Sequence, residues 1–223
     1  MQGEQSECSF QVVCEKEVVV MKYPLVIALF LAMVSCAGAV MISADADGFS
    51  DGTDISTAFG GMTLSSVGGY SGLDGFVYAW GDGLASTGTS VFANNLSFQR
   101  QWYAGLTDGF AFRADFDQLA NYVAIDIIGD DYSGDIGVLY AYSAADILLE
   151  SVTSDELGYG EVFTATINRG SFDIAYIIAG GSPSTEDTVH LDNLIADVIP
   201  EPATLCLFAL GGLLLTRKRR MLV

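Results

Sequence analysis

The chain has 223 residues, with 28 Asp and Glu against nine Lys and Arg and a formal charge of −19. Residues 40–199 concentrate that imbalance: they hold 23 Asp and Glu, only Arg100, Arg113 and Arg169, and no Lys, a charge of −20. Such a surface repels nucleic acid and anionic lipid and suits an exported or ion-rich setting. The length allows one folded domain between two terminal segments.

Residues 1–20 carry Glu4, Glu7, Glu15 and Glu17 against Lys16 and form no recognisable element. They read as a mis-started or disordered extension, with Met21 as the start. Lys22 then supplies a positive n-region, Leu25 to Val34 an apolar h-region, and Ala37-Gly38-Ala39 an Ala-x-Ala cleavage site. Residues 21–39 are thus expected to be a helical signal segment cut by signal peptidase. Ser35-Cys36 raises a lipoprotein reading, but Met33-Val34-Ser35 is a poor lipobox and ordinary cleavage ranks above it. The cysteines, Cys8, Cys14, Cys36 and Cys206, are all terminal. The exported body has no disulfide and must be held by its core, with a metal as the candidate extra support.

The body opens on Asp45-Ala46-Asp47-Gly48, with Asp51 and Asp54 close by. Ca²⁺ takes six to eight oxygen ligands, and carboxylates at alternate positions around Gly turns can supply several. Asp45, Asp47 and Asp51 are therefore candidate ligands of a structural calcium. The run lacks the full calcium-loop consensus, and a solvated acidic linker is the favoured alternative. Asp130-Asp131-Tyr132-Ser133-Gly134-Asp135 is a second acidic stretch, which a hairpin loop explains equally well.

From Met62 onward the chain reads as strands, predicted at 62–67, 75–80, 89–93, 96–103, 109–116, 121–128, 136–142, 147–153, 161–168, 172–179 and 187–197. Gly68-Gly69, Gly81-Asp82-Gly83, Gly129-Asp130-Asp131 and Gly180-Gly181-Ser182-Pro183 punctuate them. Phe110, Phe112, Ala114 and Phe116 alternate with Ala111, Arg113 and Asp115, a period of two with one face buried. No convincing amphipathic helix is found in the body. The expectation is all-β: an antiparallel two-sheet sandwich over 40–199, a jelly roll.

Arg113-Ala114-Asp115-Phe116, Val123-Ala124-Ile125-Asp126, Gly137-Val138-Leu139-Tyr140-Ala141-Tyr142 and Val189-His190-Leu191-Asp192-Asn193-Leu194 are similar to jelly-roll domains of exported bacterial proteins and carbohydrate-binding modules. The resemblance implies that a structural calcium ties the first strand to the last, which adds Asp192 to the candidate ligands. Its motifs are generic and speak for the fold more than for a ligand; polysaccharide is the candidate partner. Trp80, Trp102, Tyr140 and Tyr142 are the candidate sugar contacts, because sugar C–H faces stack on flat rings. Tyr140 and Tyr142 would share one face of a strand. Packing in or over the core is the commoner fate of such residues.

Catalysis finds little support. His190 is the only histidine, between Val189 and Leu191 in a predicted strand, and reads as outward-facing and non-catalytic. There is no Gly-x-Ser-x-Gly elbow, and no carboxylate pair stands out as a glycosidase pair. The protein is expected not to be an enzyme.

The C-terminus is the most specific stretch. Pro200-Glu201-Pro202 punctuates the chain, because two prolines close together interrupt strand and helix alike. Leu205 to Leu215 is apolar, and Arg217-Lys218-Arg219-Arg220 closes the segment with four cations. Thirteen helical residues, Ala203 to Leu215, reach about 20 Å against a hydrocarbon core of about 30 Å, a marginal span helped by snorkelling cations. The cations should stay cytoplasmic, which places the body on the other side. Residues 200–223 resemble the PEP-CTERM sorting tail of bacterial exported proteins. That resemblance implies a short helical membrane segment, processing by an exosortase and a bacterium that makes exopolysaccharide or biofilm matrix. The expected function is a non-enzymatic cell-surface or matrix protein, and the alternative is a carbohydrate-binding module for extracellular polysaccharide.

Overall fold

The computed structural model describes residues 39–199, apart from 98–99, 106–108 and 133. The predicted signal segment up to Gly38 and the sorting tail from Pro200 lie outside them. Among the described residues no helix is long and apolar enough to cross a membrane.

Eleven strands form among the described residues. They are β1 (Val40–Ala44), β2 (Thr53–Asp54), β3 (Met62–Val67), β4 (Tyr78–Gly81), β5 (Ser90–Ala93), β6 (Ala111–Gly129), β7 (Gly137–Tyr142), β8 (Leu148–Thr153), β9 (Val162–Asn168), β10 (Ile174–Gly181) and β11 (Val189–Val198). Every strand pairing is antiparallel.

The long strand β6 belongs to both halves. Ala111 to Phe116 lie between β3, with Leu64 opposite Ala114, and β10, with Ile177 opposite Ala114. Ala120 to Gly129 lie between β9, with Ala165 opposite Ile125, and β11, with Leu191 opposite Ile127. The partners change across Asp117-Gln118-Leu119, where Asp117 N–H donates to Gly61 O at 2.9 Å. The first half continues through β10 to β7 and β8; the second continues through β11 to β1 and to β5, β4 and β2.

One core fills the space between the halves. Leu64, Phe112, Ile177 and Leu139 meet Ile125, Ile127, Ile167 and Leu191 in a single buried cluster, which makes the body a β-sandwich. Each such side chain contributes about 1.5–3 kcal/mol by leaving water. Phe92 stacks on Phe112 with ring centroids 4.9 Å apart, and Trp102 meets Phe112 edge-on at 5.5 Å.

Three expectations need correction. The separate strands at 109–116 and 121–128 are one strand, because Asp117-Gln118-Leu119 contains no Gly or Pro to end the pairing. No strand forms among the described residues of the predicted 96–103 strand. Asn94 takes that segment instead, accepting from Leu96 N–H at 2.9 Å and donating to Gln101 O at 2.8 Å, and only isolated bridges at Trp102 and Tyr103 remain. No strand is predicted before Met62, yet β1 forms because Val40–Ala44 pairs along the C-terminal half of β11, from Val40 opposite Val198 to Ala44 opposite Leu194.

Candidate functional site

Three groupings carry the polar chemistry. The first is built on the β4–β5 turn, which inserts Ser86 and Thr87 among carboxylates from three other segments. Ser86 Oγ lies 2.8 Å from Asp126 Oδ2 and 3.0 Å from Asp192 Oδ2. Thr87 Oγ1 lies 3.1 Å from Asp192 Oδ2 and 3.4 Å from Asp45 Oδ2. Thr87 N–H and Asn193 N–H donate to the two oxygens of Asp192 at 3.0 and 2.8 Å. Asp126 also accepts from Thr164 Oγ1 at 2.6 Å and Asn193 Nδ2 at 3.2 Å. Asp192 is fully buried and Asp126 nearly so. Burial pushes the Asp192 carboxyl above its ordinary range, the Thr87, Ser86 and Asn193 donors pull it back, and the charge of Asp45 adds to the rise.

A hydroxyl carries one proton and cannot donate to two carboxylates at once. Ser86 is shared by Asp126 and Asp192, and Thr87 by Asp192 and Asp45, so each hydroxyl serves one carboxylate of its pair at a time. Carboxylate oxygens are the ligands that Ca²⁺ takes. Of the four predicted ligands, the structure brings together Asp45 and Asp192. Asp47 and Asp51 stand apart, each tying down a turn. Asp47 Oδ1 accepts from Thr89 N–H at 2.8 Å and Ser90 N–H at 3.0 Å, and Asp51 Oδ1 accepts from Gly81 N–H at 2.7 Å. Gly88, at φ +50°, makes the Asp47 contact fit, since a Cβ there would lie 1.6 Å from Asp47 Oδ2. Sequence reasoning missed Asp126, which looked like one more outward-facing polar position on an alternating strand.

The second grouping surrounds His190. The histidine is buried, with Nδ1 3.5 Å from Asp82 Oδ2 and Nε2 3.9 Å from Asp130 Oδ2. This corrects the expectation of an outward-facing ring. Arg100 Nε pairs with Asp82 Oδ2 at 3.0 Å. Burial holds the imidazole below its ordinary pKa against the pull of Asp82. Burial likewise pushes the Asp130 carboxyl up to about 6, although Thr188 Oγ1 donates to it at 3.0 Å. Asp130, Asp131 and Asp135 place carboxylate oxygens within 4.8 Å of one another. Turn formation accounts for them: Asp135 Oδ2 accepts from Asp130 N–H at 2.7 Å and Asp131 N–H at 3.1 Å.

The third grouping is the outer face of the first half. Tyr142 lies opposite Tyr176, and Tyr140 opposite Ile178. The rings of Tyr142 and Tyr176 stack with centroids 4.9 Å apart and planes 8° from parallel. Arg113 Cζ sits 3.8 Å from the Tyr176 centroid, and its guanidinium grips Asp115 through Nε at 2.8 Å and a second nitrogen at 2.5 Å. Tyr176 Oη donates to Asp146 Oδ1 at 3.1 Å. Tyr176 is thus covered by Arg113 and Tyr142, and the accessible rings are the half-buried Tyr140 and Tyr142.

The two tryptophans do not join this face. Trp102 is fully buried, with Nε1 donating to Phe92 O at 2.9 Å, so it is core and not a sugar contact. Trp80 is half-buried on β4, in the other half of the sandwich. Tyr176 and Arg113 are the members that sequence reasoning missed. Their period-two positions in two predicted strands put them on a common face only once the β6–β10 register is known.

The chain carries the PEP-CTERM protein-sorting motif at residues 198–220. No curated protein matches it. The structure is similar to the K2 cleaved adhesin domain of Lys-gingipain, with TM-score 0.43, 10% identity, and coverage of 70% of this chain and 99% of that one. A family 29 carbohydrate-binding module from Piromyces equi follows with TM-score 0.32, 11% identity, and coverage of 61% and 91%. A family 28 module, specific for non-crystalline cellulose, gives TM-score 0.33, 14% identity, and coverage of 70% and 95%. The sorting motif implies an exported protein, anchored through its C-terminus and then processed by an exosortase.

Proposed function

We propose that this chain is a non-enzymatic cell-surface or extracellular-matrix protein of an exopolysaccharide-making bacterium. A signal segment exports it, a short C-terminal membrane segment retains it, and an exosortase releases its acidic jelly-roll body. The observation that carries this reading is the sorting motif beginning at Val198, the last residue of the last strand. Calcium at Asp45, Asp126 and Asp192 is proposed as a structural support of the body. Replacing Pro200-Glu201-Pro202 with alanines is expected to leave unprocessed chain in the membrane fraction of exosortase-bearing cells. Unchanged processing and location would overturn the reading.

A second reading has its own support. Tyr140 and Tyr142 beside the Arg113–Asp115 pair offer ring faces next to fixed polar groups, the combination that orients a sugar. As a carbohydrate-binding module the body binds extracellular polysaccharide across this face. Tyr142→Ala is then expected to weaken binding on a glycan array at least about tenfold, a loss of about 1.4 kcal/mol. Absence of binding by the parent chain across neutral and acidic glycans removes this reading and leaves the first intact.

A further inference from the structure

Both ends of the described body emerge from one end of the sandwich. Val198 lies opposite Val40 on one side and Ala120 on the other, and Ile199 N–H donates to Leu119 O at 3.0 Å. Ala120 is also opposite Ile174; two residues along β10, Tyr176 is opposite Tyr142, which is opposite Leu148. The start of β1, the Asp117–Leu119 corner and the β7–β8 turn therefore share the end from which the sorting tail leaves.

The exposed aliphatic side chains collect there. Six large aliphatic residues are exposed among the described residues, and five lie at this end: Met41 at 68%, Ile147 at 61%, Leu148 at 49%, Val40 at 47% and Leu119 at 37%. The sixth, Val162, lies opposite Ile128 near the far end of β6. The remaining exposed apolar residues, Tyr70, Phe76, Tyr132 and Tyr159, are aromatic.

Chain length sets the distance. Pro200-Glu201-Pro202-Ala203-Thr204 separate the body from the apolar run at Leu205. Five residues reach at most about 17 Å even when fully extended. The headgroup layer occupies about 5–8 Å of that on each side of the hydrocarbon core. A body retained by this tail is thus held with its aliphatic end close to the lipid surface, at a high effective concentration. Asp117, Asp146, Asp173 and Asp197 also lie at this end, against Arg169, which pairs with Asp173 and Glu150. Charge does not draw this end to anionic lipid, so the contact is apolar.

We propose that this end of the sandwich rests on the outer surface of the bilayer that receives the tail, with Met41, Leu119 and Ile147 in the interfacial layer. The inference depends on the membrane-retained reading above. The test uses the processed chain, Val40 to Val223, in phosphatidylcholine vesicles, with Cys206 replaced by serine. A fluorophore is placed at Met41→Cys, at Ile147→Cys, or at Tyr132→Cys, the last a still more exposed position at the opposite end. Leu148→Cys replaces Met41→Cys or Ile147→Cys where that label disturbs folding. Nitroxide-labelled lipid is expected to quench Met41 and Ile147 several-fold more than Tyr132. Equal quenching in chain that floats with the vesicles overturns the proposal while sparing the tail reading. Chain that does not float overturns both.

Discussion

Asp130 and His190 show how burial at single residues sets a pH response. The Asp130 carboxyl, pushed up to about 6, binds a proton more readily folded than unfolded. Its ionisation therefore opposes the fold at neutral pH, and stability rises as pH falls through 6 toward its unfolded value near 4. Asp135 and Asp192, also raised by burial, act in the same direction. His190 acts oppositely: its lowered pKa favours the neutral ring, so acidification below its unfolded value of about 6.5 costs stability. We predict that Asp130→Asn removes up to about 2 kcal/mol of the stability gained between about pH 7.5 and about pH 4.5. His190→Gln should enlarge that gain. Urea unfolding of the parent and both variants across this range checks both; parallel profiles for parent and Asp130→Asn would mean that Asp130 stays ionised at no cost.

At the level of elements, the carboxylates of Asp45, Asp126 and Asp192 join the segment after β1, the β4–β5 turn, β6 and β11 through two hydroxyl groups. A cation neutralising them would lock the first strand to the last. Ca²⁺ is expected to raise the melting temperature relative to chelator, and Asp192→Asn to abolish most of the rise. Asp51→Asn, at a carboxyl that accepts from Gly81 N–H away from this cluster, should leave it in place. A calcium response that survives Asp192→Asn would place the ion elsewhere. Half of this arrangement was legible in the sequence: Asp45 stands out beside Gly turns, and the resemblance to jelly rolls supplied Asp192. Asp126 was not, because period two says which residues share a face but not which strand ends meet. The same limit hid β1, whose five residues carry no alternating pattern and become a strand only through the ladder that β11 offers. The strand patterns after Met62 were readable because each buries one apolar face. The exception at 96–103 turned on Asn94, whose side chain competes for backbone groups and bends the chain away from a ladder.

For the whole molecule, charge is the dominant unbalanced quantity. The body carries −20, and each arginine faces a carboxylate: Arg100 with Asp82, Arg113 with Asp115, and Arg169 with Asp173 and Glu150. The remaining acids repel one another over the surface of one small sandwich, which destabilises the compact state. Salt shortens that repulsion: the Debye length falls from about 30 Å at 0.01 M to about 8 Å at 0.15 M. Four arginine–carboxylate pairs lose attraction over the same range, but exposed pairs contribute only about 0–1 kcal/mol each. The repulsive side is larger in number and reach, so sodium chloride is expected to raise the melting temperature steadily across this interval. Calcium at matched ionic strength should add a further rise that saturates, because a site fills whereas screening does not. A melting temperature that falls with sodium chloride would mean that the few ion pairs outweigh the general repulsion. The acidic coat would then not be the main electrostatic cost that this fold carries.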